Sequence, residues 1–289
     1  MSIIWSKEAV KLKRNLVLIL LLCFSLTMVL GGCSGKDKDA GKNPAPAQTD
    51  TSFEDIKEKG YFIVGLDDAF PPMGFRDEKD QIVGFDIDLA KEAAKKMGVE
   101  VKFQPIVWDS KVEELDSGNI DVIWNGMSIT AERQEQMLFT KPYIKNRQVI
   151  VVTEDSAIKT KADLKGKKIG IQAGSSAQDA VMADQATYEV IKDNLLEFDD
   201  NVMALRDLKG GGLDAVVVDI VVGKYYVSKH PGEYKFLEED FGAEDFAVGM
   251  RLTDKAFQAE LDKALDAMKA DGSATKISEE WFGEDIINK

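Results

Sequence analysis

Hydrophobic positions follow two rhythms along this chain. Short apolar runs at residues 61–66, 120–124, 168–171 and 215–218 read as strands covered on both faces. Residues 99–103 alternate as a strand. Longer segments space their apolar residues as a helix does. In residues 86–97, Leu89, Ala93 and Met97 recur every four positions, Lys91, Lys95 and Lys96 face outward, and Gly98 supplies a stop. In residues 254–271, Phe257, Leu261, Leu265 and Met268 share one face. Shorter helices are expected at 53–59, 110–117, 175–184 and 201–209, and a loop with Pro71-Pro72 at 67–75. Strand and helix alternate, which predicts parallel sheets flanked by helices.

The pattern runs twice. Leu115-x-x-Gly118-x-Ile120-Asp121 is echoed by Leu208-x-x-Gly211-x-Leu213-Asp214, each a helix ending on glycine before a strand. Two lobes of related construction are expected. The amphipathic segment 254–271, followed by Ile277, Trp281 and Phe282, follows the second lobe and is expected to pack back on the first. The chain would then cross between lobes twice, near residues 144–148 and 239–246, and two crossing segments make a hinge. The expected division is 53–144 with 245–289 as one lobe and 145–244 as the other.

The N-terminus breaks the rhythm. Lys7, Lys11, Lys13 and Arg14, against Glu8, precede an apolar run at 16–30. That run is shorter than the ~20 residues of a spanning helix, and with its basic flank it reads as a secretory signal over residues 1–32. Leu30-Gly31-Gly32-Cys33 resembles a bacterial lipobox, which implies lipidation of Cys33 and anchorage to the outer face of the cytoplasmic membrane. Residues 33–52 hold almost no large apolar side chain and read as a flexible tether, with a coil reach of ~25 Å.

Composition narrows the function classes. The chain has 289 residues, 51 acidic against 37 basic, and a formal charge of −14. This is not the basic footprint of a nucleic-acid-binding protein. Two cysteines and one histidine leave little for a zinc site, a disulfide framework or a histidine-based triad. No cofactor and no metal are expected.

Several motifs stand in a telling order: Asp67-x-x-Phe70-x-Pro72, Gly84-Phe85-Asp86-Ile87-Asp88-Leu89-Ala90, Met127-Ser128-Ile129-Thr130-Ala131-Glu132-Arg133, Phe139-Thr140-Lys141-Pro142-Tyr143, Ala173-Gly174-Ser175-Ser176, Asp214-Ala215-Val216-Val217-Val218-Asp219 and Trp281-Phe282-Gly283. Together they resemble the family 3 extracellular solute-binding proteins, polar amino-acid-binding components of ABC importers. The resemblance covers nearly all of residues 53–283. It implies an α/β, two-lobed periplasmic-binding-protein type II fold with a ligand cleft between lobes, where strand ends gather. It also implies a monomer without enzyme activity that captures a free L-amino acid and hands it to permease subunits.

Candidate ligand residues follow motif by motif. An Arg at the position of Arg133 holds the ligand α-carboxylate in the resembling proteins, and its planar fork suits a carboxylate. Ser128 is expected to donate to the same carboxylate, Thr130 to cap the helix carrying Arg133, and Gly126 to leave backbone open for the ammonium. Many family members carry a hydroxyl at Gly126. Ser176 opens a helix in the opposite lobe and fits a second carboxylate contact. Asp219 fits the ammonium, or else caps the helix that follows. Phe70 and Trp108 are expected as walls, and Asp67 and Gln172 as readers of the ligand side chain. Met73-Gly74 departs from the commoner Phe-Glu. Asp121 and Asp214, at strand starts, read as structural.

Asp67 without an obvious cationic partner disfavours acidic ligands and favours Arg, Lys, His or an amide such as Gln; cystine stays open. Two alternatives remain on sequence alone: a cleft enzyme resembling cyclohexadienyl dehydratase, which would want a general acid or base, and a stand-alone amino-acid sensor.

Overall fold

The computed structural model describes residues 49–288. The expected signal segment, Cys33 and most of the tether lie outside the described residues. The chain begins with α1 (Ser52–Lys59), β1 (Tyr61–Leu66), β2 (Ala69–Phe70), β3 (Gly74–Arg76), β4 (Ile82–Val83), α2 (Phe85–Met97), β5 (Glu100–Pro105), α3 (Lys111–Asp116), β6 (Val122–Ile123), α4 (Ala131–Gln136) and β7 (Met137–Phe139). β8 (Ile144–Thr153) then leads into β9 (Ile169–Gln172), α5 (Ser176–Ala183), α6 (Gln185–Ile191), β10 (Leu195–Phe198), α7 (Asn201–Gly210), β11 (Ala215–Asp219), α8 (Ile220–Lys229) and β12 (Tyr234–Phe246). β13 (Gly249–Arg251), α9 (Lys255–Ala270) and α10 (Ser273–Phe282) complete it.

Two five-stranded sheets form, in the orders β5-β1-β6-β13-β7 and β10-β9-β11-β8-β12. Each has three parallel strands, and in each the strand next to them is antiparallel: β13 beside β6, and β8 beside β11. Both antiparallel strands belong to the crossing segments of the chain. β8 and β12 pair with each other across the junction, Glu244 opposite Asn146 and Phe246 opposite Ile144. The hinge is therefore a two-stranded antiparallel ribbon continuous with the second sheet.

The repeated sequence has a repeated geometry. Gly118 and Gly211 adopt φ of 77° and 78°, the left-handed conformation that ends α3 and α7. Asp121 accepts the Ile63 N–H at 2.7 Å and Asp214 accepts the Lys168 N–H at 2.8 Å, each tying one strand start to its neighbour.

The apolar face of α9 packs on the first sheet's helices, with the Phe257 ring against Phe53 and Phe62 at 6.4 and 5.5 Å. α10 follows, Phe282 against Phe85 at 5.1 Å and Trp281 donating to Asp88 at 3.0 Å. The stretch expected as a loop at 67–75 instead carries β2 and β3, which with β4 make a three-stranded sheet. Short strands joined by a tight prolyl turn leave no apolar alternation to read. From this small sheet Phe75 reaches Tyr225 on α8 of the other lobe, 5.8 Å between ring centroids.

Candidate functional site

The strands of both sheets end at a cavity of about 210 Å3 lined by Phe70, Trp108, Gly126, Arg133, Gln172, Ser175, Ser176 and Asp219. Four of these come from the first lobe and four from the second. Seven of the nine residues singled out as ligand contacts line it. Ser128 and Asp67 are one hydrogen bond behind it, to Ser176 at 2.8 Å and to Gln172 at 2.7 Å.

Arg133 sits in the first turn of α4, where the Thr130 hydroxyl accepts its N–H at 3.2 Å and so caps the helix. Its side chain is only 5% exposed. The guanidinium donates to the Ser128 carbonyl at 3.1 Å and to the Gly174 carbonyl of the other lobe at 3.1 Å. No carboxylate of the described residues lies within 4.0 Å of it. Burial pushes its pKa down, against the pull of Asp179, Glu244 and Asp219. Lys111, absent from the sequence reading, donates to the same Gly174 carbonyl at 2.9 Å. Burial, then the Arg133 charge, lowers Lys111 to about 8.

Asp219 ends β11 at the head of α8, yet its side chain makes no capping hydrogen bond. It turns to the hinge instead. Asp219 Oδ1 accepts from Asn146 Nδ2 at 2.6 Å and Gln148 Nε2 at 2.7 Å. Those amides also donate to Glu244 Oε1, both at 2.6 Å. Ser128 Oγ donates to Glu244 at 2.7 Å and Ser176 Oγ at 3.2 Å. Burial, then the Glu244 carboxylate, holds Asp219 well above the usual carboxylate range. Sequence reasoning missed Asn146, Gln148 and Glu244. The one signal for Asn146 and Gln148 is the alternation Ile144, Asn146, Gln148 inward and Lys145, Arg147 outward along β8; Glu244 on β12 has none.

Asp67 is 7% exposed and accepts from Ala69 N–H at 2.8 Å and from Gln172 Nε2 at 2.7 Å. Asn201 donates to the Gln172 oxygen at 2.8 Å, which fixes the amide's orientation. Burial pushes Asp67 up to about 6. The described residues place no cation within 4.0 Å of this carboxylate either.

Gly126 adopts φ 58°, and its N–H donates to Asp86 Oδ2 at 2.7 Å. An added Cβ would lie 2.8 Å from the Phe70 ring and 2.9 Å from the Phe246 ring. The missing hydroxyl at this position thus has a steric reason: two aromatic rings occupy its space. Gly74 has a similar reason, since a Cβ there would lie 2.5 Å from Asn125 Nδ2. Asn125 in turn accepts the Asp67 N–H at 3.2 Å. Gly74 thus lets the small sheet close down on Asn125, which holds Asp67 just past the end of β1.

Buried donors at one pole and buried carboxylates at two others suit a small zwitterion with a polar side chain. The model of the family "Bacterial extracellular solute-binding proteins, family 3" matches residues 62–284. The chain belongs to this family. It is therefore an extracytoplasmic binding component of an amino-acid ABC importer, non-catalytic, with the two-lobed periplasmic-binding-protein type II fold. The L-cystine-binding protein TcyJ of Escherichia coli K12 is 31% identical over 233 residues, 80% of this chain and 86% of that protein. The arginine-binding extracellular protein ArtP of Bacillus subtilis is 28% identical over 277 residues, 94% and 98% of the two chains. A substrate-binding protein of an ABC uptake transporter from Streptococcus pneumoniae, solved with bound histidine, superposes with a TM-score of 0.79 at 36% identity, covering 84% of this chain and all of that one.

Proposed function

We propose that this family member captures a polar L-amino acid, with a basic or amide side chain favoured, by closing its two lobes around it. One observation carries the reading. Arg133, Asp219 and Asp67 are all buried around one small cavity, and none has an oppositely charged partner within 4.0 Å among the described residues. Such charges are costly alone and favourable once paired and hydrogen-bonded. An α-carboxylate at Arg133, an α-ammonium at Asp219 and a cationic or amide group at Asp67 and Gln172 would satisfy all three. The ligand touches both lobes, so it favours the closed arrangement by its differential contacts. The names of relatives that bind arginine, histidine and cystine agree with this class. Cys33 lipidation would hold the protein at the membrane beside the permease that receives the amino acid.

The test is calorimetry on protein unfolded and refolded to strip carried-over ligand, titrated with L-arginine, L-lysine, L-histidine, L-glutamine and L-cystine. At least one is expected to bind with a dissociation constant in the micromolar range or below. Asp67→Asn is expected to weaken a cationic ligand at least tenfold relative to glutamine. Silence across the panel would refute the reading. An unchanged arginine-to-glutamine ratio in Asp67→Asn would remove Asp67 from the site.

A further inference from the structure

The β8–β12 ribbon brings a second carboxylate behind the cavity wall, one hydrogen bond from Ser176 and from the amides that hold Asp219. Glu244 on β12 and Asp219 on β11 accept hydrogen bonds from the same two amide nitrogens, Asn146 Nδ2 and Gln148 Nε2, at 2.6–2.7 Å. One donor atom reaching two carboxylate oxygens at that range holds those oxygens side by side. Two like charges so placed do not both ionise readily. The cation that faces the pair is Arg133 on α4, which lies beyond 4.0 Å of both and is itself held by backbone carbonyls. Lys111 on α3 and Glu132 on α4 flank that guanidinium, while Asp179 on α5 feels both Arg133 and Glu244 and adds a further negative charge on the side of the pair.

The remaining hydrogen-bonding capacity of the cluster is one-sided. Ser128 and Ser176 have one hydroxyl proton each. When both are donated to Glu244 no hydroxyl proton is left, and Ser176, the one of the two that lines the cavity, offers it only lone pairs. Asn146 Oδ1 and Gln148 Oε1 are buried acceptors with no donor among the described residues. Asn146 is 3% and Gln148 0% exposed. This pole of the cleft therefore lacks donors, which is the environment an ammonium group completes. It also changes the part expected of the serines: their hydroxyl protons are spent on Glu244, which leaves the ligand carboxylate to Arg133 and the N–H groups at the start of α5.

Resting on the amino-acid reading above, we propose that Glu244 belongs to the ligand seat, and that the Asp219–Glu244 pair exchanges one shared proton for the ligand's ammonium group. Before binding, the proton neutralises one carboxyl and bridges the two. On binding, the ammonium takes its place between them, the carboxyl ionises, and the proton passes to solvent. Charge and atoms balance: one cation enters the seat and one proton leaves it. Burial and the neighbouring Glu244 both favour the protonated form of Asp219 in the absence of ligand.

Calorimetry at pH 7 in phosphate, HEPES and Tris, which differ in ionisation enthalpy, reads the proton directly. L-arginine and L-glutamine are the probes, since neither titrates near this pH, and glutamine carries no charge to perturb Asp67. Wild-type protein is expected to release about one proton per ligand bound, because the incoming ammonium displaces the single shared proton. Glu244→Gln keeps an acceptor for Ser128 and gains an amide donor for Asp219, so the release is expected to fall close to zero. Its affinity for glutamine between pH 5 and 7 is expected to flatten. Binding by the wild type without buffer-dependent heat, or equal release in Glu244→Gln, would overturn the proposal and leave the amino-acid reading intact. Failure of every amino acid to bind would overturn both.

Discussion

Replacing Arg133 by methionine separates a ligand-binding arginine from a structural one, because the two roles predict opposite signs. The guanidinium makes two hydrogen bonds to backbone carbonyls, at 3.1 Å each. Bonds from a charged donor contribute ~1.5–3 kcal/mol apiece. Against this stands the cost of burying a cation that has no anionic partner, which is several kcal/mol. The two nearly cancel, and methionine fills a similar volume without the charge. The ligand-free Arg133→Met protein is therefore expected within ~1 kcal/mol of wild type, a Tm change of ~2–4 °C at most for a domain of this size.

Binding should behave differently. A ligand carboxylate enclosed without its guanidinium loses the bidentate contact and stays desolvated. Truncating one member of such a pair costs ~2–5 kcal/mol, which is a roughly thirtyfold to several-thousandfold weaker dissociation constant. Urea unfolding of refolded, ligand-stripped protein measures the first quantity and calorimetry with the best-binding amino acid measures the second. Arg133→Lys, which keeps the charge and loses the fork, is expected between the two. A variant several kcal/mol less stable that binds with unchanged affinity would refute the reasoning and make Arg133 a strut between lobes.

Two further outcomes follow from the buried carboxylates and the glycine beside them. Burial raises Asp67 to about 6 and Asp86 to about 7. The native state thus holds more protons than the unfolded chain, so ligand-free stability must fall as pH rises through this window; from pH 5 to 8 the drop is ~4 kcal/mol at 1.36 kcal/mol per unit. Denaturant midpoints that stay flat or rise over that range would contradict it. Gly126→Ala places a Cβ 2.8 Å from Phe70 at φ 58°. It is expected to destabilise by ~1–3 kcal/mol through strain and overpacking and to weaken ligand binding, and normal stability in urea would disprove the close packing of Phe70 and Phe246 around that glycine.

The residues legible in the sequence were those whose signal is local. Arg133 stands in a string with its own cap, and Asp219 stands at the end of an uninterrupted valine strand. Both readings of Asp219, cap or ligand group, were available from sequence, and its turn toward Asn146 and Gln148 removes the cap. Glu244 was not legible. It lies on a polar stretch whose burial depends on β8, almost a hundred residues earlier, and on serines from both lobes. Lys111 is 5% exposed, and a lysine in a charged helix gives no warning of that. β2 and β3 were hidden for a different reason: two or three residues are too few to establish a period.

Under the proposed capture by lobe closure, contacts between the lobes and buried charges together decide when the lobes stay closed. Direct contacts across the cleft are few: Lys111 and Arg133 to the Gly174 carbonyl, Ser128 to Ser176, Gln172 to Asp67, and the Phe75–Tyr225 rings outside it. The Ser128–Ser176 bond is neutral and contributes ~0.5–1.5 kcal/mol, and the three that involve a charged side chain contribute ~1.5–3 kcal/mol each. Closure also desolvates Arg133, Asp67 and Asp219, and each unpaired charge costs as much or more. Without a ligand the terms oppose one another, so the closed arrangement has little net advantage. A zwitterion reverses the sign of the charge terms while leaving the direct contacts in place. Closure then reports occupancy, and the steepness of that report grows with the number of buried charges that only the ligand can pair. A cleft lined by neutral groups would bind the same solute but would close nearly as well without it.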